Sequence, residues 1–417
     1  MTKFGIARRA EGTVVIVDPF STGADLAPEF ASRGWRSVAV LSSSRLPALY
    51  VDKLRSTDFD RVVVDDGNVL ATAHALGDLS PDAVLAGTEI GVELADALAE
   101  ALGLPGNRAS ATRCRGHKGA MARAVRAAGL AAPPFHEAAC ESDAAAWAED
   151  HGGPVVVKPV DSAGGDGVTF CNRPDEVRMA VRGLHGRVNR MGRVNDTVLV
   201  QALMTGEQYF VNTVSRAGRH RILEIWADRR QSRPEGTVCD REDLLPAVGS
   251  PQDRLSAYVQ CTLDALGIRE GPAHTELMLT PDGVMLIECA ARMQGTIVPA
   301  AVTAALGENH VTAAVEAVVD PASVDAALPY RLQAHLSVVS LIAPRAGCLS
   351  APGATALLRE TDTLHTALGN LEPGTTVTQT VDLFTSPGFL YLVSDDPTRI
   401  ESDYLRIRRL EADGLYV

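Results

Sequence analysis

Short apolar runs alternate along this chain with stretches of helical periodicity. The run TVVIVD (13–18) reads as a buried strand, PFSTG (19–23) as a turn and ADLAPEFASRG (24–34) as a short helix ended by glycine. Further strands follow at WRSVAVLSS (35–43), RVVVDD (61–66) and DAVLAGTE (82–89), then a helix at IGVELADALAEALG (90–103). Strands alternating with helices predict a doubly wound α/β domain over residues 1–112. It carries no GxGxxG, so a dinucleotide site is not indicated.

Beyond it the pattern changes. Helices are expected near 115–128, 143–153, 175–184 and 251–266. PVVVKPVDSAGGDGVTFC (154–171) reads as strand, Gly-rich turn, strand, and a second hairpin turns at Ala217–Gly218. Residues 228–250 are polar and read as a surface or active-site loop. From about 330 the chain is strand-rich (LQAHLSVVSLI, TTVTQTVDL, GFLYLVS), and a last helix covers 397–414. The expected organisation is α/β plus α+β: a first domain 1–112, a second 113–200 with a glycine-rich lid, and a third 201–417 ending in a strand-rich part, 330–417.

Composition narrows the function classes. The 417 residues have a formal net charge of −13, which repels nucleic acid and anionic membranes. The seven cysteines form no CxxC pair, so neither zinc nor a disulfide framework is expected. Neither a signal-peptide core nor a membrane-length apolar run is present, and the expectation is a cytoplasmic protein with small-molecule partners.

The chemistry concentrates in three places. In HTELMLTPDGVMLIECAARMQG (274–295), two apolar runs flank Pro281, Asp282 and Gly283. A turn centred on Asp282 makes Glu276 and Glu288 direct cross-strand neighbours, with Cβ atoms about 4.5–5.5 Å apart. Facing carboxylates on a greasy sheet favour a cation between them, and Arg292, four residues beyond Glu288, adds a fork for anion oxygens. Lys158 lies inside an apolar strand and needs a partner. Beside it, Ser162, Gly164, Gly165 and Gly167 form a loop whose amides can approach an anion. Lys118 begins a helix, where an ammonium is unfavourable unless an anion binds there too. Each feature alone has an ordinary explanation: a solvated hairpin face, a glycine turn, a surface lysine.

Their order resembles the ATP-grasp superfamily over nearly the whole chain. The stretches VDPFSTGADLAPEFASRG, AGTEIGVELADALAEALGLPGN, VVVKPVDSAGGDGV, QYFVNTVSRAGRH, LIECAARMQG and TVDLFTSPGFLYLVS look most like the L-amino-acid ligases of the bacilysin-synthetase type and related carboxylate–amine ligases. The resemblance implies ATP between two α+β domains. Lys118 and Lys158 would hold its phosphates, with residues 162–167 as a mobile cover and Gln201, Ala202 and Leu203 at the adenine. Glu276 and Glu288 would bind one or two Mg²⁺, with Mn²⁺ as a substitute. Arg292 and Lys158 would serve the transferring phosphoryl group. His274, Arg292, Met293, Gln294, Gly295 and Thr296 would meet substrate. The implied reaction joins a carboxylate to an amine through an acyl-phosphate, in a protein expected to form a homodimer. An ATP-grasp carboxylase or purine-pathway-type ligase is the alternative, and a non-catalytic ATP-binding protein a further one. Two positions depart from the family pattern: Gln208 stands where a ribose-binding Glu is usual, and Ala290 where an Asn often ligates metal. Asp240, Glu242 and His274 are open candidates for the base that deprotonates the amine, and Arg229, Arg230, Arg233, Glu235 and Asp240 for reading charged ends of substrate.

Overall fold

The computed structural model describes residues 11–233, 236–326 and 328–417. Its first sheet is parallel, with β1 (Thr13–Val17), β2 (Arg36–Leu41), β3 (Arg61–Val64) and β4 (Ala83–Ala86) in the order β3-β2-β1-β4. Strand alternation sends Val15, Val17, Val38 and Val40 to one face, where they pack with Leu76, Val92 and Leu98 of the helices Val69–Gly77 and Val92–Ala101. Val14 and Ile16 point the other way, onto the helix Leu26–Ser32 and onto Val311, Ala314 and Val315 of a distant helix, His310–Val319. Both faces are covered, as a parallel sheet requires.

The second sheet is antiparallel, with β5 (Phe135–Ala138), β6 (Val155–Pro159), β7 (Thr169–Cys171) and β8 (Val198–Ala202) in the order β5-β8-β6-β7. The helices Glu141–His151 and Pro174–Leu184 supply Ala144, Ala148, Val177 and Val181 to its core.

The third sheet has eight strands: β9 (Glu207–Arg216), β10 (Arg219–Arg233), β11 (Gly236–Leu244), β12 (Gly271–Thr280), β13 (Gly283–Ala290), β14 (His335–Ser340), β16 (Leu364–Leu368) and β18 (Phe389–Ser394). Their order is β13-β12-β9-β10-β11-β14-β18-β16, so the chain's C-terminal strands extend the sheet that carries the hairpin. The remaining two strands, β15 (Gly347–Cys348) and β17 (Thr376–Val377), pair only with each other. The helix Pro397–Ala412 packs beside them and closes the chain's C-terminal core.

Several expectations need correction. Within 228–250, residues 228–233 complete β10 and residues 236–244 build β11, so these parts are strand and not loop. Their polarity reflects ion pairs along the strands, Arg230 with Asp228 at 2.8 Å, Arg229 with Asp243 at 3.0 Å and Arg241 with Asp243 at 2.6 Å. Of TTVTQTVDL only two residues are strand. The helices Val69–Gly77, Pro299–Leu306, His310–Val319 and Ala351–Arg359 were not foreseen; their Ala-rich sequences carry a weak polar period, although Asn309 caps one of them with both halves of a capping box. No described helix is long and apolar enough to cross a membrane.

Candidate active site

The three sheets surround a cavity of about 1740 Å³, and nearly every sequence-selected residue lines it. The hairpin supplies the floor. Glu276 faces Glu288 as the sequence implied, but not by the implied register. At the tip Thr280 pairs with Gly283, so the turn is the tight two-residue kind. A bulge beyond Leu277 then shifts the ladder by one, and only below it do Glu276 and Glu288 meet.

Burial pushes the Glu276 carboxyl up. The His274 hydrogen bond and charge, followed by Arg230 and Arg292, outweigh burial and hold it at about 2. Glu288 accepts from the Lys118 Nζ at 2.8 Å. Two facing carboxylates on one face offer only oxygen donors, which is the donor set a hard divalent cation takes. The residues fit Mg²⁺, with Lys118 as the cation now beside Glu288.

Lys118 is placed by both ends of its own residue. Its N–H donates to Val160 O at 2.8 Å, and its Nζ to Ser162 O at 2.5 Å, so the helix Lys118–Ala127 is stitched to the end of β6. Lys158 is buried on that strand, and no hydrogen bond or ion pair of its ammonium is found among the described residues. Burial first, then the Lys118 charge, lowers its ammonium to about 8, against the pull of Glu288 and Glu276. An anion between the two lysines would relieve both strains.

The glycine loop has left-handed backbone at Gly164 (φ 68), Gly165 (φ 80) and Gly167 (φ 67), which glycine alone adopts without cost. A Cβ on Gly164 would lie 2.3 Å from the Phe384 ring. Arg190 stacks on that ring at 4.4 Å and pairs with Asp382 at 2.7 Å, so a C-terminal segment seats the loop. The Ser162 hydroxyl donates to Asp166 at 2.7 Å, inside the loop rather than toward the cavity.

At the other end, Gln201, Leu203 and Gln208 line the cavity and Ala202 does not. The N–H of Ala202 donates to Pro134 O at 2.8 Å and that of Leu203 to Pro154 O at 2.9 Å, so these two donors are occupied within the fold.

Arg292 donates from Nε to Glu89 at 3.0 Å and from a terminal nitrogen to Met293 O at 2.8 Å. Glu89 stands just beyond the C-terminal end of β4; burial pushes its carboxyl up, Arg292 pulls it down and Glu288 raises it again. The run after Arg292 is tied down: Gly295 O accepts from Ser21 and Thr22 at 2.5 and 2.9 Å, and Thr296 O from the Tyr391 hydroxyl at 2.5 Å. Met293 touches the cavity but packs with Val14, Ile16 and Val311, so it is chiefly a core residue.

Residues 151–300 match the family model described as the ATP-grasp domain. That stretch is an ATP-grasp domain. The chain is 29% identical over 408 residues to dapdiamide A synthase of Enterobacter agglomerans, covering 96% of both chains. Among solved structures, it resembles an L-amino acid ligase from Bacillus licheniformis (TM-score 0.74, 18% identity, 96% of this chain and 98% of that one). An N5-carboxyaminoimidazole synthetase from Staphylococcus aureus, complexed with ADP, matches with a TM-score of 0.66 at 12% identity over 97% and 99% of the two chains.

Of the base candidates, Asp240 turns away from the ATP-grasp cavity: it accepts from Arg408 at 2.9 Å and from the Tyr404 hydroxyl at 2.8 Å, on the far side of β11. Glu242 and His274 do line the cavity. Glu242 stands with Asp228 and Cys239, donor atoms all within 4.8 Å, and burial followed by the Asp228 charge raises its carboxyl to about 8. Glu235 lies outside the described residues. The sequence reading missed Glu89 and Asp228. The first had a signal, since ligands gather at the carboxyl ends of parallel strands; the second was hidden by reading its strand as loop.

Proposed function

We propose that this chain is an ATP-dependent ligase that joins an amino-acid carboxylate to a second amine through an acyl-phosphate, releasing ADP and phosphate. The observation that carries this reading is the convergence of Lys118, Lys158, Glu276, Glu288 and Arg292 on one cavity. The activities of dapdiamide A synthase and the L-amino acid ligase support it; the N5-carboxyaminoimidazole synthetase and biotin carboxylase neighbours share the fold at 12–15% identity. At about 1740 Å³ the cavity exceeds the roughly 300–1,000 Å³ of a single-ligand pocket, which suits a nucleotide with two further substrates.

In this reading Lys118 and Lys158 hold the phosphates, the 162–167 loop covers them, and Gln201, Leu203 and Gln208 flank the nucleoside. Glu276 and Glu288 hold one or two Mg²⁺, which would neutralise charge between the two reacting anions. Arg292 draws the substrate carboxylate and the γ-phosphate together, and Glu89 fixes the guanidinium's direction. The carboxylate oxygen attacks the γ-phosphorus and ADP leaves; the amine then attacks the acyl carbon and expels phosphate. Glu242, which lines the cavity, takes the proton of the incoming ammonium. The division at 112 and 200 belongs to this reading.

The test is incubation with ATP, Mg²⁺ and amino acids singly and in pairs, measuring phosphate release and product mass. A product equal to two substrates minus water is expected, with Glu288→Gln lowering turnover at least about a hundredfold. Phosphate release with bicarbonate but no amino acid would replace this reading with a carboxylase.

A further inference from the structure

A row of polar side chains crosses the middle of the large sheet. Glu224 on β10 faces Asn212 on β9, and Asn212 faces His274 on β12. Glu224 and Asn212 are completely buried, and His274 nearly so. A register shift beside Leu223 sets which face Glu224 takes. No cation pairs with Glu224 among the described residues; its Oε2 accepts from the Trp226 indole at 2.9 Å and from Asn212 Nδ2 at 2.8 Å, while its Oε1 has no partner. Burying a carboxylate this way costs stability, and apolar residues would pack the site better.

What the row does is determine polarity. An indole N–H can only donate, so Glu224 Oε2 must accept. Ionised, Glu224 has no proton to give, so Oε2 accepts from Asn212 as well as from the indole. Asn212 therefore turns its NH₂ toward Glu224 and its oxygen toward His274 Nδ1, 2.8 Å away, and that nitrogen must carry a proton. The second Asn212 N–H donates to Gln294 Oε1 at 2.9 Å. Gln294 lines the cavity two residues from Arg292, and with its oxygen occupied only its NH₂ is left to face inward. Among the described residues that NH₂ has no hydrogen-bond partner.

We propose that Glu224 and Asn212 are positioning residues that lock the Gln294 amide as a donor to an oxygen of the substrate carboxyl, beside Arg292. The identity of that acceptor rests on the ligase reading; the polarity of the row does not. Gln294 and Arg292 together would bind one carboxylate from two sides.

The experiment has two arms. The first measures KM for ATP and for the carboxylate partner, using proteinogenic L-amino acids as probes with saturating ATP and Mg²⁺. Gln294→Met and Gln294→Glu should each raise the carboxylate KM about ten- to a hundredfold, as loss of a donor to a charged oxygen does, and leave the ATP KM within about twofold. Glu224→Leu should do the same, while Glu224→Gln, which keeps an acceptor under the indole, should retain the wild-type KM. An unchanged carboxylate KM in Gln294→Met overturns the proposal. The second arm is ring-nitrogen NMR of labelled histidine, with His274 assigned by His274→Gln. Protonated Nδ1 in the wild type and in Glu224→Gln is expected; an unprotonated Nδ1 overturns the locked polarity. If the wild type releases no phosphate with any amino acid, the ligase reading falls, and the NMR arm then decides the polar row by itself.

Discussion

Lys158 illustrates how a residue chosen for a ligand burdens the fold. Its ammonium is lowered to about 8 from 10.5, first by burial and then by Lys118. Below pH 8 the folded and unfolded chains both carry the proton, and the cost of burying the charge is fully present. Between about 8 and 10.5 the unfolded chain binds more protons than the folded one, so stability rises with pH through that window. The gap corresponds to about 3 kcal/mol. Lys158→Met should therefore be more stable than the wild type at pH 7 by up to about 3 kcal/mol, with ATP binding lost. Urea midpoints at pH 7 and pH 9.5 check it: the advantage of the variant should shrink at the higher pH. At this scale the sequence was informative, because a lysine in VVVKPV or two glutamates in apolar strands contradict their surroundings. Glu89 and Asn212 do not; each looks ordinary until its neighbours from other strands are known.

Elements aim these residues. The hairpin's facing glutamates were legible from spacing, yet a tight turn and a bulge bring them together rather than the wider turn the spacing suggested. Two compensating one-residue offsets cannot be read from a pattern of period two. The glycine loop depends in the same way on a distant segment, since Phe384 lies where a Gly164 side chain would go. Gly164→Ala, strained at φ 68 and pressed on that ring, should lift the loop, raise the ATP KM about tenfold and leave the unfolding midpoint almost unchanged. A shift in the midpoint as large as the change in KM would show that the contact is structural. Phe384→Ala should increase proteolytic cutting within 162–167 and slow it again when ATP is added.

The whole molecule depends on contacts between its sheets. Arg115 is completely buried and binds Asp96 at 2.5 Å, Arg108 O at 2.8 Å and Leu266 O at 2.9 Å, tying the parallel domain to the end of the helix Ser250–Ala265. Arg115→Met should cost about 3–5 kcal/mol, because it strands the Asp96 carboxylate; Arg115→Met with Asp96→Leu should recover much of it. Denaturation of the single and double variants measures that coupling. The helix His310–Val319 makes a second tie, since Val311 and Val315 complete the core of a sheet formed some three hundred residues earlier in the chain.

Local pattern determined most of what is local here: the alternation of strand and helix through the first 110 residues, the buried lysine, the glycine loop and the paired glutamates. Each depends on neighbours within a few residues, where periodicity and turn chemistry act. The tertiary structure decided the rest. It made strands of the charged runs 228–233 and 236–244 by pairing their ions along and between the strands, and turned Asp240 away to Arg408 while leaving Glu242 in the cavity. It occupied the Ala202 and Leu203 amides, and set Glu89 on Arg292 from 203 residues away. Ion pairs and hydrogen bonds across such separations leave no period in a sequence, because their partners are chosen by how sheets pack and not by spacing along the chain.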